Sequence, residues 1–264
     1  MTSTNAAIAA AYSATGAAWC DGPALIYDRL ADVLVASSPI SLEGTVAVDI
    51  GAGTGAASFA AARAGARAVI AVDIAAGMLC VDAGRRPPSV VADARQLPFA
   101  AASFDVALAA FSFNHLDEPA AAFVEAARVV RPGGAVLASA YAADDTHPVK
   151  AAVEQSLRRQ GWAPDAWLVE MYGSRAPQLS TVDVGADALR MTGLDADIAT
   201  ARVDFADLEP QQLVAWRLGM AQHAPFVATL SAPQRRTVVR DAVDRLGPDP
   251  PPLVRSIVIV TIRC

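Results

Sequence analysis

Lysine is nearly absent from this chain: Lys150 is the only one, and arginine supplies every other basic side chain except the histidines. Cysteine is limited to Cys20, Cys80 and Cys264, scattered and without a CxxC spacing. That leaves no disulfide framework or zinc ribbon and fits a reducing, cytoplasmic setting. Positive charge is short as well, with 21 Lys and Arg against 27 Asp and Glu and a net charge of -6. A binder of nucleic-acid backbones normally carries a basic surface, so nucleic-acid partners are not expected. No uninterrupted apolar run reaches the ~18–20 residues of a membrane span; Arg63 and Arg67, for example, break the alanine-rich stretch around them. The N-terminus has no basic region of the signal-peptide kind. What remains is 264 residues, 54% apolar and 18% charged, which suits a compact domain with a sizeable core.

The order of elements gives the fold class. Residues 1–40 read as an alanine-rich helix and a stronger one, in which Leu25, Ile26, Leu30, Val33 and Leu34 recur at helical spacing and Pro39 ends the run. Then β and α alternate: strands at 45–50, 67–74, 89–94, 103–113 and 135–141, with helices at 56–66, 75–86 and 118–134. The last of these helices is expected to close at Pro132, Gly133 and Gly134. The strand at 103–113 is apolar on both faces, as a buried parallel strand should be. The pattern predicts an α/β, Rossmann-like, doubly wound and mostly parallel sheet. After Tyr141 come helical additions over 142–254, including a sixth strand at 198–205, and a terminal strand at 255–264. With no repeat and no long linker, one domain is the economical organisation: cap helices 1–40, core 45–141, lid additions 142–254 and the last strand. Nothing in the sequence marks a particular oligomeric state.

The segment "VAVDIGAGTGAASF" (46–59) carries the chemistry. Gly51, Gly53 and Gly55 stand where a strand must turn into a helix and where a ligand needs bare backbone. Such a loop lies at the carboxyl edge of the sheet, where open α/β sheets bind ligands. Gly51, Gly53 and Ala56 also satisfy GxGxxA, and Asp73 follows 22 residues after Gly51, so the loop alone admits an NAD(P)-dependent oxidoreductase. Asp49 separates the readings. A carboxylate beside the loop repels a pyrophosphate, but it suits the sulfonium and ammonium of S-adenosylmethionine.

The same segment resembles the DxGxGxG motif of class I S-adenosylmethionine-dependent methyltransferases, and of their quinone-methylating, small-molecule branch in particular. The likeness continues through "AVDIAAGML" (71–79), "ADARQLPF" (92–99), "SFDVALAAFSFNHLDEP" (103–119) and "ARVVRPGGAVLAS" (127–139). It implies a seven-stranded sheet whose terminal strand runs antiparallel. It also implies that Gly51, Ala52, Gly53 and Gly55 pass under the methionine part of the cofactor, with Asp49 ordering the loop or the ammonium. Asp73 would accept from the ribose hydroxyls, Ile74 and Met78 would lie on the adenine, Asp93 and Ala94 would meet its edge, and Phe111 would border the methyl group.

Methyl transfer needs alignment more than proton chemistry. His115, in "FNHL" after the fourth strand, is the candidate general base; His223 is a second option. "DDTH" (144–147) hints at a metal, but Asn114 stands where catechol-type enzymes place a carboxylate, so no metal is expected. No "NPPY"-type tetrapeptide follows the fourth strand. A small organic acceptor is therefore expected, met by Tyr12, Trp19 and Tyr27 from the N-terminal helices and by Tyr141 and Trp216, with Trp162, Trp167, Met171, Tyr172, Met220 and Phe226 forming either pocket or lid core. Arg158, Arg159, Arg235 and Arg236 read as a solvated face. A protein that keeps the cofactor without transferring methyl stays open as an alternative.

Overall fold

The computed structural model describes residues 3–82 and 84–264. The chain runs α1 (Ser3–Ser13), α2 (Gly16–Cys20), α3 (Ala24–Ala36), β1 (Val46–Ile50), α4 (Ala56–Arg63), β2 (Ala68–Asp73), α5 (Ala76–Leu79) and β3 (Ser89–Val91). It continues through β4 (Phe104–Ala110), α6 (Pro119–Val129), β5 (Val130–Tyr141), α7 (Pro148–Arg158), α8 (Ala166–Glu170), α9 (Val182–Leu189) and β6 (Ala196–Asp204). It closes with α10 (Pro210–Leu218), α11 (Ala224–Thr229), α12 (Ala232–Leu246) and β7 (Val254–Arg263). The strands form one seven-stranded sheet in the order β3-β2-β1-β4-β5-β7-β6. β1 to β5 pair in parallel, whereas β7 runs antiparallel to both β5 and β6. The expected sheet with a reversed terminal strand is the one observed.

Strand periodicity divides the core. Val106 and Leu108 point to the face covered by α3, α4, α7, α10 and α12, while Ala107 and Ala109 point to the face covered by α6 and α9. Side chains of β4 from Phe104 to Ala109 are buried, as in a central parallel strand covered on both faces; the one charged member, Asp105, is paired with Arg131 and accepts from the Val46 N–H at 2.7 Å. α4 presents Ala57, Ser58, Ala60 and Ala61 to the sheet. Their small size lets the helix that follows the glycine loop settle close to the strands and fixes the loop between them.

Three boundaries differ from expectation, each for a local reason. The helix expected over 75–86 is only Ala76–Leu79: Gly77 packs against the Ser13 backbone, Asp82 takes φ +50°, and residue 83 lies outside the described residues. The helix before β5 ends at Val129, and Pro132, Gly133 and Gly134 belong to the start of the strand. A register shift between Phe104 and Val106 accommodates them, with Gly133 at φ +84°. β4 stops at Ala110, because Phe111 takes φ +55° and bends the chain away from the sheet. Among the described residues no helix is long and apolar enough to cross a membrane.

Candidate functional site

The carboxyl ends of β1, β2 and β4 open into a cavity holding about 1130 Å³ of space free of atoms, its mouth included. Its floor is the glycine loop. Gly51 (φ +72°) and Gly53 (φ +53°) are left-handed, a conformation costly for other residues. A Cβ on Gly51 would lie 2.2 Å from that of Ser112, so β1 and the bend after β4 meet only because this side chain is missing. Ser112 completes the joint by donating its hydroxyl to the Ile50 carbonyl (2.7 Å).

The loop's own donors are largely spent. Gly51 and Ala52 donate their N–H groups to the Val72 carbonyl at 2.7 and 2.9 Å, and Gly55 donates to the Ala52 carbonyl. Gly53 donates to Asp73 Oδ2 at 2.7 Å. The buried carboxylate of Asp49 occupies the start of α4, accepting from the Ser58 hydroxyl at 2.6 Å. A pyrophosphate needs free N–H groups at a helix start; this one already faces an anion. Asp49 Oδ1 is buried with no partner, and burial, only partly offset by Ser58, raises the acid to about 6. An ammonium or sulfonium would satisfy that orphaned oxygen.

Asp73 ends β2. Besides Gly53, it accepts from Ala75 N–H through Oδ1 at 2.7 Å, and burial raises its pKa. A carboxylate has about four lone-pair sites, so two stay available for vicinal hydroxyls. Ile74, Met78, Ala94 and Leu116 line an adjoining apolar slot fit for a flat heterocycle. Asp93 lies at its rim and is gripped by Arg95, Nε to Oδ1 at 3.0 Å and Nη2 to Oδ2 at 2.8 Å; this pairing lowers its pKa and keeps it ionised. Arg86 staples the floor to α5, donating to the carbonyls of Gly53 (2.8 Å) and Met78 (2.7 Å).

The roof is the N-terminal segment with the turn after β4. Tyr12, Trp19, Tyr27 and Phe111 bring aromatic rings to the wall, with Tyr27 edge-on to Phe111 at 5.3 Å. His115 packs on Tyr12 with ring centroids 5.3 Å apart. Burial, with Arg175 nearby, depresses the imidazole to about 4. Arg175, itself buried in a π-helical turn (Met171–Arg175), ties the roof together: it donates to Asn5 Oδ1 (2.5 Å), to the His115 carbonyl (3.0 Å) and to Glu170 (2.7 Å). α1 rests on α5 at Gly77, where an added Cβ would fall 2.1 Å from the Ser13 carbonyl oxygen.

Of the residues expected here, Asp49, Gly51, Ala52, Gly53, Asp73, Ile74, Met78, Asp93, Ala94, Phe111, His115, Tyr12 and Trp19 all line the cavity. Three expected residues stand outside the wall. Gly55 is the N-cap of α4, its φ of +101° making the turn rather than touching a ligand. Tyr141 and Trp216 lie behind Phe111, drawn off by the guanidinium of Arg255, 4.0 Å from the first ring and 4.5 Å from the second. His223 is fully buried, with its Nδ1 against the Arg217 carbonyl, and lies away from the cavity. Trp162 likewise donates to the Gln222 carbonyl inside the additions. The four arginines at 158, 159, 235 and 236 are exposed. Asn5, Ile8, Ser112 and Arg86 escaped the sequence reading. Arg86 stands beside Arg85 in an exposed-looking "GRRPP" stretch, which gave no signal of its place under the loop.

The seven-stranded sheet with one antiparallel strand matches the Rossmann-like fold of solved methyltransferases. Residues 48–138 match the family model described as "Methyltransferase domain". Among curated relatives, a demethylmenaquinone methyltransferase of Renibacterium salmoninarum is 34% identical over 128 residues, 48% of this chain and 54% of that protein. Among solved structures, a methyltransferase described as from an antibiotic biosynthesis pathway of Anabaena variabilis superposes with a TM-score of 0.59 at 15% identity, over 88% of this chain and 96% of that one. Phosphoethanolamine N-methyltransferase 2 of Haemonchus contortus, in complex with S-adenosyl-L-methionine, gives 0.55 at 20% identity, over 89% and 52%. Over residues 48–138 the chain is thus similar to methyltransferase domains, and its fold is the one these enzymes share. It spans about half the length of the curated relative it matches.

Proposed function

We propose that this chain transfers a methyl group from S-adenosylmethionine to a small organic acceptor. In this reading residues 45–141 hold the cofactor and the segments 1–40 and 142–254 cover it and select the acceptor. One observation carries the proposal. The glycine loop has spent its N–H groups internally, and its helix start faces an ionisable carboxylate with one buried oxygen unpartnered. A cationic amino-acid tail fits that floor, whereas a dinucleotide pyrophosphate does not.

Bound there, the cofactor would supply a methyl carbon on a positively charged sulfur, an excellent leaving group. The chain's residues would do the remaining work. Asp49 faces the ammonium, Asp73 fixes the ribose, and Ile74, Met78 and Leu116 grip the base. Tyr12, Trp19, Tyr27 and Phe111 keep water out and stabilise positive charge with their rings. The protein's main catalytic contribution is to line up acceptor and methyl group. His115 does not act as a base at neutral pH in this reading, because a group near 4 is poorly matched to that task. The hydroxyls of Tyr12 and Tyr27, raised by burial, are no better. The acceptor must therefore arrive already nucleophilic. An electron-rich hydroxylated aromatic is the first class to try, and the quinone-methylating relative supports that choice. Exposed, unpaired Cys20 and Cys80 support a cytoplasmic location.

The test is turnover. Protein incubated with methyl-labelled S-adenosylmethionine and a reduced naphthoquinone is expected to release S-adenosylhomocysteine and a labelled aromatic product. Calorimetry should show S-adenosylhomocysteine binding and NAD not binding. Tight binding of NAD would overturn the cofactor. Cofactor binding with no label transferred to any of a panel of phenols, quinols and amines would leave a non-methylating cofactor binder.

A further inference from the structure

Behind the aromatic wall, on the β5–β7 side of the sheet edge, lies a second group of polar side chains. Tyr141 ends β5 and Arg255 begins the antiparallel β7, so both reach the edge that carries the cavity. Phe111 lines the cavity and its ring lies 4.5 Å from that of Tyr141. The Arg255 guanidinium sits 4.0 Å from the far ring. Trp216 and Arg217, at the end of α10, close the group from above: the indole is 4.5 Å from the Arg255 guanidinium carbon and 5.4 Å from that of Arg217.

The charges here do not balance. Asp145 pairs with Arg255 through two hydrogen bonds of 2.8 and 2.7 Å and also accepts from Lys150 at 2.9 Å. One carboxylate thus serves two cations. Arg217 is 4% exposed, yet among the described residues its guanidinium has neither an ion pair nor a hydrogen-bond partner. Its Nε is buried and unpartnered, as are Nη1 of Arg255 and Nε1 of Trp216. The other titratable groups nearby bring no second negative charge. His223, pushed down to about 3, is neutral; so are His147, which burial lowers, and Tyr141, raised to about 12. A buried cation without a counter-charge is costly, and three buried donors without acceptors in one place are uncommon in a folded core.

We propose that Arg217 and Arg255, with the indole N–H of Trp216, form an oxyanion anchor for the acceptor, which is a phenolate or enolate whose charged oxygen is conjugated with the atom to be methylated. This rests on the methyl-transfer reading and names its substrate class. It supplies what the cavity lacks. No side chain at the acceptor end is poised to take a proton near neutrality, so the arginines hold the acceptor in its deprotonated form. A lone pair of the acceptor forms the new bond to the methyl carbon. The carbon–sulfur pair leaves with sulfur as a neutral thioether. The acceptor's negative charge is cancelled in the step: on an oxygen-methylating course no proton moves, and on a carbon-methylating course the ring proton passes to water as the neutral dienone rearomatises. The neutral product then loses its hold on the two guanidiniums. Tyr141, largely buried and with its hydroxyl buried and unpartnered, is the partition between anchor and cavity, and the acceptor displaces it in this proposal.

The probe is 4-nitrophenol, whose absorbance reports ionisation. Titrated on the full chain saturated with S-adenosylhomocysteine, the bound probe should ionise about one pH unit below the free one, equivalent to ten-fold tighter binding of the phenolate. Arg217→Met should abolish the shift and Arg217→Lys should restore part of it, with S-adenosylhomocysteine affinity unchanged in both. The unsubstituted protein decides the matter even if Arg217→Met does not fold. A bound probe with unchanged or raised ionisation, no binding at all, or a shift that survives Arg217→Met would overturn the anchor. Repeating the titration without S-adenosylhomocysteine separates the two readings: a retained shift in a chain that binds no cofactor would sink the methyl-transfer reading and spare the anion site.

Discussion

Asp73→Asn isolates the ribose contact. The carboxylate already accepts from the N–H groups of Gly53 and Ala75, both at 2.7 Å, which leaves two lone-pair directions for ligand hydroxyls. Asparagine keeps one acceptor oxygen and turns the other into a donor. One hydrogen bond to a charged group is worth about 1.5–3 kcal/mol, so S-adenosylhomocysteine affinity should fall by roughly ten- to a hundred-fold. The new amide must also point its NH2 at a backbone N–H of the loop, and that clash should cost a further ~1–3 kcal/mol of folding stability. The two effects separate by assay: urea denaturation reads the second, and calorimetry on the folded variant reads the first. A 2′,3′-dideoxy analogue completes the cycle. The unsubstituted protein should bind it far more weakly than S-adenosylhomocysteine, and the Asn variant should show a markedly smaller difference between the two. A folded variant with undiminished affinity, or one that discriminates as strongly as the unsubstituted protein, would refute the ribose assignment.

Asp49 sets a pH dependence. With its acid raised to about 6, the carboxyl is neutral below that pH and gives a cation nothing, so S-adenosylmethionine affinity should climb by up to about ten-fold per pH unit until it levels above 6. Folding, by contrast, loses stability as pH rises between the ordinary carboxyl range and 6, because the native state holds the proton more tightly. Asp49→Asn should flatten the affinity profile in calorimetry, and a profile unchanged by that substitution would contradict the role. Gly51→Ala combines a left-handed backbone with a Cβ 2.2 Å from that of Ser112. It should lower unfolding free energy by about 2–4 kcal/mol, and an unaltered denaturation midpoint would show that the β1–β4 joint is looser than described.

How far the sequence revealed this protein depends on where each feature's cause lies. β1, β2 and β4 could be read directly, because burial on both faces writes short, predominantly apolar runs, each carrying one aspartate. The ligand-binding edge followed from the topology, and the residues expected on it came from the likeness to methyltransferase motifs. Asp93, expected to face the adenine, lines the cavity, but its pairing with Arg95, two residues on, could not be deduced from residue type. Tyr141 and Trp216 were expected at the acceptor, yet Arg255, more than a hundred residues from Tyr141 in the chain, turns them into its own sandwich. The turn around Arg175 reads as irregular because its partners, Asn5 and His115, come from distant elements. Local pattern cannot register a contact made across the fold.

The meeting of Gly77 with Ser13 has a consequence for how the molecule opens. The first helix seats on the floor helix at a point where one hydrogen atom replaces a methyl group, so the Ser13 backbone and hydroxyl rest directly on Gly77. Loosening so close a seam is expected to shorten the residence time of a bound ligand. Placing a single methyl at this seam would wedge the compartment ajar without touching any group that contacts the ligand.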